Sequence, residues 1–172
     1  VISLCPTNRA LGVGSNCLLE LPDLSGELVA ADLCGGVSVQ QSPPAGTAVG
    51  LGEQLITFTV SDVASNHATC TALVTVVDLT PPELTCATNK SVECTVAWTF
   101  DEPGATDACG TNSITVLGTV TNAGCGNTYV ATRTWRATDA FGNYSDCSQV
   151  VTVVDTTAPA VTMAQGADAT IE

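Results

Sequence analysis

Basic residues are scarce in this chain. Four Lys plus Arg stand against seventeen Asp plus Glu in 172 residues, a formal net charge of −13. A surface of that sign repels a phosphate backbone and an anionic bilayer alike, which removes nucleic acid from the partner classes. No apolar run is long enough to span a membrane, which argues against insertion as well. Aromatics make up only 4% of the residues, and His67 is the only histidine. The nine cysteines form no C-x-x-C pair, so a zinc site would need four well-separated thiolates. No G-x-S-x-G is present, and a lone histidine in a predicted turn lacks the oriented acid and oxyanion hole of a hydrolase. Asp101 and Glu102 are adjacent, so on a strand they point to opposite faces, which is the wrong geometry for a glycosidase pair. No window repeats apolar residues at helical spacing. The chain has no initiator Met and no leader, and is expected to be a mature fragment whose export signal lies outside it.

Val and Thr recur throughout, often alternating, and β-branched side chains suit a half-buried pleated surface. "QLITFTVSD" places Ile56, Phe58 and Val60 on one face and Thr57, Thr59 and Ser61 on the other. Trp135 and Ala137 are assigned inward in the same way, with Thr134, Arg136 and Thr138 outward. Trp98 and Trp135 are read as core residues rather than sugar platforms. Nine cysteines in so short a chain point to disulfides and an oxidising, extracellular compartment.

The sequence repeats itself. "VSDVASNHATCTALVTVVDLTPP" (Val60 to Pro82) aligns with "ATDAFGNYSDCSQVVTVVDTTAP" (Ala137 to Pro159). Asp62 meets Asp139, Asn66 meets Asn143, Cys70 meets Cys147 and Asp78 meets Asp155, each at an offset of 77 (139 − 62, 155 − 78). Upstream, "ADLCGG" meets "TDACGT" at an offset of 75 (109 − 34), which sets Cys34 against Cys109. A shared period of Asp, Asn and Cys signals internal duplication. Residues 1–79 are therefore expected to form one repeat and 80–157 a second, with Pro81, Pro82 and Pro159 stiffening the joints. Residues 158–172 read as the first strand of a third repeat or a strand donated to a neighbouring molecule. Short alternating strands between Gly, Asp and Pro turns predict an all-β chain of tandem immunoglobulin-like antiparallel β-sandwiches.

These residues also resemble a known family. "ISLCP", "GSNC", "DLCGG" and "TFTVSDVASNHATCTALVTVVDLTPP" are similar to the hyalin repeat, a module of extracellular proteins. "DACG", "RTWRATDAFGN" and "VTVVDTTAP" are similar to immunoglobulin-like repeats of large bacterial surface proteins. The resemblance implies a β-sandwich occurring in tandem arrays, with stalk or adhesion roles and no enzymatic activity. It departs from the pattern at Phe141, where such repeats often carry Cys, and at Met163, where the two repeats carry Cys5 and Cys86.

In a sandwich of this type, the starts of the first and last strands share one end. Cys5, Cys34 and Cys70 are expected there in the first repeat, and Cys86, Cys109 and Cys147 in the second. Cys94 and Cys125 are expected at the opposite end, as a candidate bridge, and Cys17 is assigned to a disulfide without a named partner. Nine is odd, and the candidate for the unpaired thiol is Cys109, left as a buried inert thiol or a cross-link to another molecule.

Asp78 closes the first repeat beside loops expected to carry Asp107, Asp139 and Asn143, and Asp155 holds the matching place after the second. One reading is turn chemistry, in which Asp and Asn accept from nearby backbone N–H groups. The sharper reading is calcium at the joints, because that ion takes about 6–8 oxygen ligands. No other cofactor is implied. The leading function is a structural or adhesive module of a secreted or surface array, with other copies or neighbouring repeats as partners. The alternatives are a module recognising protein or glycan through loops such as Gln41 to Gly46 or Val120 to Thr128, and a filament subunit assembling by strand donation.

Overall fold

The structure is a computed structural model, and it describes residues 1–161. Within them the chain is built from β1 (Ile2–Leu4), β2 (Arg9–Val13), β3 (Leu19–Glu20), β4 (Val29–Ala30), β5 (Val37–Ser42), β6 (Ala48–Val49), β7 (Gly52–Asp62) and β8 (His67–Asp78). After a four-residue connection come β9 (Glu83–Thr85), β10 (Lys90–Glu93), β11 (Gly104–Thr106), β12 (Asn112–Ala123), β13 (Tyr129–Asp139) and β14 (Tyr144–Val154). A single 3₁₀ turn, Ser25–Glu27, is the only helical element among the described residues. The chain is all-β and immunoglobulin-like, as its alternating Val and Thr dictate.

Each half holds a four-stranded sheet of the same design. The order is β2-β8-β7-β5 in the first and β10-β14-β13-β12 in the second. In each, two long strands form an antiparallel hairpin, and a short strand lies parallel to the last one. Arg9 stands opposite Val74, and Lys90 opposite Val151, which is Val74 plus 77. A small second layer faces each sheet: β1-β4 and β3-β6 in the first half, β9-β11 alone in the second. Among the described residues every ladder lies within one half.

The alternation decides the cores. Ile56, Phe58 and Val60 of β7, with Ala72, Val74 and Val76 of β8, are buried against Val13, Leu21, Leu24 and Leu28. Each fully buried large side chain contributes about 1.5–3 kcal/mol. In the second half Ala131, Trp135 and Ala137 pack with Val151 and Val153. Here aromatics replace the leucines. Trp98 meets Phe100 edge-on at 5.1 Å, Phe100 meets Trp135 edge-on at 5.9 Å, and Trp98 Nε1 donates to the Tyr129 hydroxyl at 3.1 Å. Both tryptophans are structural.

One buried polar side chain ties the layers of each half together. Gln149 is fully buried on β14. Its Nε2 donates to Thr88 O at 2.9 Å and to Asp101 Oδ2 at 2.7 Å, and its Oε1 accepts from Asp101 N at 3.0 Å. Gln41 does the same work on β5, accepting from Leu24 N at 2.8 Å and donating to Pro22 O at 3.0 Å. Asn8 and Asn89 make a repeated contact with the last strand, each accepting from a backbone N–H: Leu73 at 2.8 Å and Val150 at 2.9 Å.

Cysteine pairing differs from the sequence expectation. Cys5 joins Cys70 and Cys86 joins Cys147, one bond in each half from first strand to last. Cys109, the candidate for the lone thiol, is bonded to Cys17 across a sequence separation of 92. Cys34, Cys94 and Cys125 are free, so Cys94 and Cys125 form no bridge. The expectation named no partner for Cys17. The turn after β2 instead carries Cys17 out of its own half and against the turn before β12. The proposed extra strand, 158–172, lies mostly outside the described residues, including Met163, and Ala158 to Val161 form no strand.

Candidate metal centre

The two halves meet where β8 ends. Asp78 closes that strand and is buried, 2% exposed, because the second half caps it. Its Oδ1 accepts from Thr80 N at 2.8 Å and from the Thr80 hydroxyl, which turns the chain into the Pro81-Pro82 connection. From the second half come two further acids. Asp107 sits in the turn after β11, where its Oδ1 accepts from Cys109 N at 2.8 Å. Asp139 ends β13, where its Oδ1 accepts from Phe141 N at 2.9 Å and Asn143 N at 2.8 Å.

Asn143 completes the arrangement. Its Nδ2 donates to Asp139 Oδ2 at 2.8 Å and to the backbone carbonyl of Asp78 at 3.0 Å, so one amide spans the joint. Ser145 braces the connection on the side of the second half, donating to Pro82 O at 2.6 Å. The hairpin "DAFGN" fits this use because Gly142 takes a positive φ of 91°. In the first half Ser65 takes a positive φ at the matching place. Asp62 and Asn66 repeat the hook there, with Asn66 Nδ2 donating to Asp62 Oδ2 at 2.8 Å.

One carboxylate oxygen each from Asp78, Asp107 and Asp139 lies within 4.8 Å of the others. At that separation like charges repel by on the order of 3 kcal/mol per pair, for an effective dielectric constant of about 20. Two of the oxygens, Asp78 Oδ2 and Asp107 Oδ2, are buried and have no hydrogen-bond partner. Turn chemistry accounts for the inner oxygens of these residues, which hold Thr80 and Cys109. It leaves the outer ones without a role. A cation would use them. Burial pushes the Asp139 carboxyl up, but hydrogen bonds from the Asn143 side chain and from the Asn143, Phe141 and Gly142 backbone outweigh it. Asp139 is therefore held below the ordinary carboxylate range and ionised.

Of the sequence-derived residues, Asp78, Asp107, Asp139 and Asn143 come together. Asp155 does not join them. It lies at the far end of the second half with Glu93 and Cys94. The sequence reading missed the Cys17–Cys109 bond and Ser145. Nothing in a sequence offset flags a bond between two non-equivalent turns. His67 is exposed at the start of β8, and Asp101 is taken up by Lys90 at 2.7 Å and by Gln149.

Comparison with known proteins gives a partial match. No curated protein matches the sequence. Among solved structures, the chain is similar to human protocadherin-24 EC1-2 (14% identity, TM-score 0.37), covering 86% of this chain and 95% of that one. It is also similar to mouse cadherin-23 EC22-24 (12% identity, TM-score 0.41), covering 88% of this chain and 65% of that one. Protocadherin gamma B2 extracellular cadherin domains 3-6 gives 14% identity and a TM-score of 0.44, and this chain spans about half of its length, 51%. At family level, residues 77–153 match the HYR domain, over a stretch running from the end of β8 to the end of β14. The second half of the chain is similar to an HYR domain.

Proposed function

We propose that the chain is a non-enzymatic structural module of an extracellular, adhesion-type array. In this reading residues 1–79 and 80–157 are consecutive copies of one sandwich, and calcium clamps the joint between them. The observation that carries it is the pair of buried, unpartnered carboxylate oxygens of Asp78 and Asp107, in a group of three acids with Asp139 that each bring a carboxylate oxygen within 4.8 Å of the others. Asp78 would contribute from the preceding copy, and Asp107 and Asp139 from the following one. Bound calcium would neutralise their mutual repulsion and fix the angle between copies. The HYR match and three disulfides support the extracellular setting. Among the described residues no helix is long and apolar enough to cross a membrane. The partners in this reading are neighbouring repeats of the same kind.

The test is calorimetry of the full chain with calcium or with EDTA. Calcium should raise the melting temperature, and Asp107→Asn should remove the difference. A free-energy gain of about 2.7 kcal/mol is expected at a hundred times the dissociation constant. An identical melting temperature with and without calcium refutes the metal reading.

A further inference from the structure

The two four-stranded sheets differ most along one edge. In the first half that edge is β5, six residues long, and in the second it is β12, twelve residues long. Ser42, the last residue of β5, stands opposite Thr57, and Thr134, which is Thr57 plus 77, stands opposite Gly118. β12 therefore runs on through residues 119–123, where β5 has already given way to Pro43 and Pro44. β5 is also pinned from inside by the buried Gln41, whereas every residue of β12 after Asn112 is exposed. Ile114, Val116, Leu117 and Val120 are among them, the last 61% exposed. Among the described residues no strand pairs with the outer side of β12.

The charge pattern singles out the same strand. Edge strands are ordinarily kept from pairing with a second chain by Lys, by Pro or by being short. Of the five strands of eleven or twelve residues, β12 alone has no charged residue. Residues 112–138, which make β12 and nearly all of β13, contain Arg133 and Arg136 and no acid, a net +2, so the rest of the chain carries −15 (−13 − 2). Arg136 is paired with Asp146, and Arg133 lies over Phe100 while donating to Thr119, so both are engaged. Glu102 borders the strand, across a small cleft lined by Ile114, Val116, Pro103 and Trp135. A bulge between Val116 and Gly118 is the one safeguard β12 has, and it leaves straight strand on either side.

We infer that β12 is a self-docking edge: two copies of this chain pair their β12 strands antiparallel about a two-fold axis. The second-half sheets then join into one of eight strands. Such an interface brings the same residues of both copies together, and like charges set opposite each other would oppose it. β12 brings none. Two copies of so acidic a chain repel on most approaches, but with β12 against β12 uncharged strands meet and the acidic remainders are turned away. The outward N–H and C=O groups of β12 gain partners, and its exposed valines leave water. Association closes at two, because β10, at the other edge of that sheet, has only four residues. The inference is independent of the calcium joint and is tested without calcium.

The experiment is sedimentation equilibrium of the full chain in EDTA, with Cys34, Cys94 and Cys125 blocked by iodoacetamide so that no disulfide links copies. A monomer–dimer equilibrium is expected, and added salt should tighten it by screening the repulsion between the two acidic bodies. Val120→Glu and Val120→Lys, at an exposed side chain, should each abolish the dimer, and mixing the two should restore it. Hydrogen exchange should slow with rising concentration in 112–123 and nowhere else. A full chain that stays monomeric to millimolar concentration overturns the proposal. So does a dimer that loosens with salt, survives both substitutions, or fails to return on mixing, and so does protection that falls on another strand.

Discussion

Replacing Cys17 and Cys109 together by Ser removes the one covalent tie between the halves beyond the polypeptide, and its effect should be unequal. When the second half unfolds while the first stays folded, Cys17 is held near Asp78 by the intact first sheet. The flexible loop that the bond closes then runs only from Asp78 to Cys109, about 31 residues (109 − 78). Chain-entropy arithmetic gives about 3.7 kcal/mol for such a loop, as an upper value. When the first half unfolds instead, the freed segment from Cys17 to Asp78 is already restricted by Cys5–Cys70, and the bond adds less. A domain of this size shifts by roughly 4–8 °C per kcal/mol. Scanning calorimetry of the double variant should therefore show the transition of the second half lowered by up to about 15–30 °C, and that of the first by clearly less. Two transitions moving equally, or one transition in both proteins, would mean that the halves unfold as a unit and that this loop count is wrong.

Two further outcomes follow from local chemistry. Gln149→Leu keeps the volume but leaves the Asp101 N–H and the Thr88 carbonyl without partners, and should cost about 2–4 kcal/mol in urea unfolding; a loss below about 1 kcal/mol would show that water replaces the amide. Asp62, Asp101, Asp139 and Asp146 are all held below the ordinary carboxylate range in the folded chain. Asn66 does so for Asp62, Lys90 and Gln149 for Asp101, and Arg136 for Asp146, while hydrogen bonds outweigh burial at Asp139. The unfolded chain therefore takes up protons first. The stability they contribute is full above the ordinary range and is lost as pH falls through the lower folded values, between about pH 5 and pH 2. Stability that rises on acidification through that window would reverse the sign and refute the assignment.

Much of this was legible because the same residues recur at an offset of 77. The alternation of Ile56, Phe58 and Val60 could only bury one face, and the offset of 77 marked Asp62, Asn66 and Asp78 as positions the fold uses in both halves. The Asp78, Asp107 and Asp139 grouping followed from placing a strand end beside two turns. What the sequence concealed lay between the two halves. Cys17 and Cys109 occupy different turns of the module, so aligning like with like sets them apart. Their bond becomes visible only in the folded chain, where the two turns lie against each other. The reduced second layer of the second half was hidden for another reason: Trp98 and Phe100 fill, from irregular chain, a space that leucines fill in the first half.

The order of the three disulfides has a mechanical consequence. Pulled from its ends and fully unravelled, the stretch from Cys5 to Cys147 need not lengthen by its whole 142 residues (147 − 5). The load crosses from Cys5 to Cys70 through sulfur, follows the backbone for 16 residues (86 − 70), then crosses from Cys86 to Cys147. At about 3.4 Å per residue, with Cα–Cα spans of 6.3 and 5.9 Å across the two disulfides, the taut span is about 67 Å, against about 480 Å for an unbridged chain. Cys17–Cys109 lies off that shortest route, so tension largely bypasses it, and its task is to hold bearing rather than to bear load.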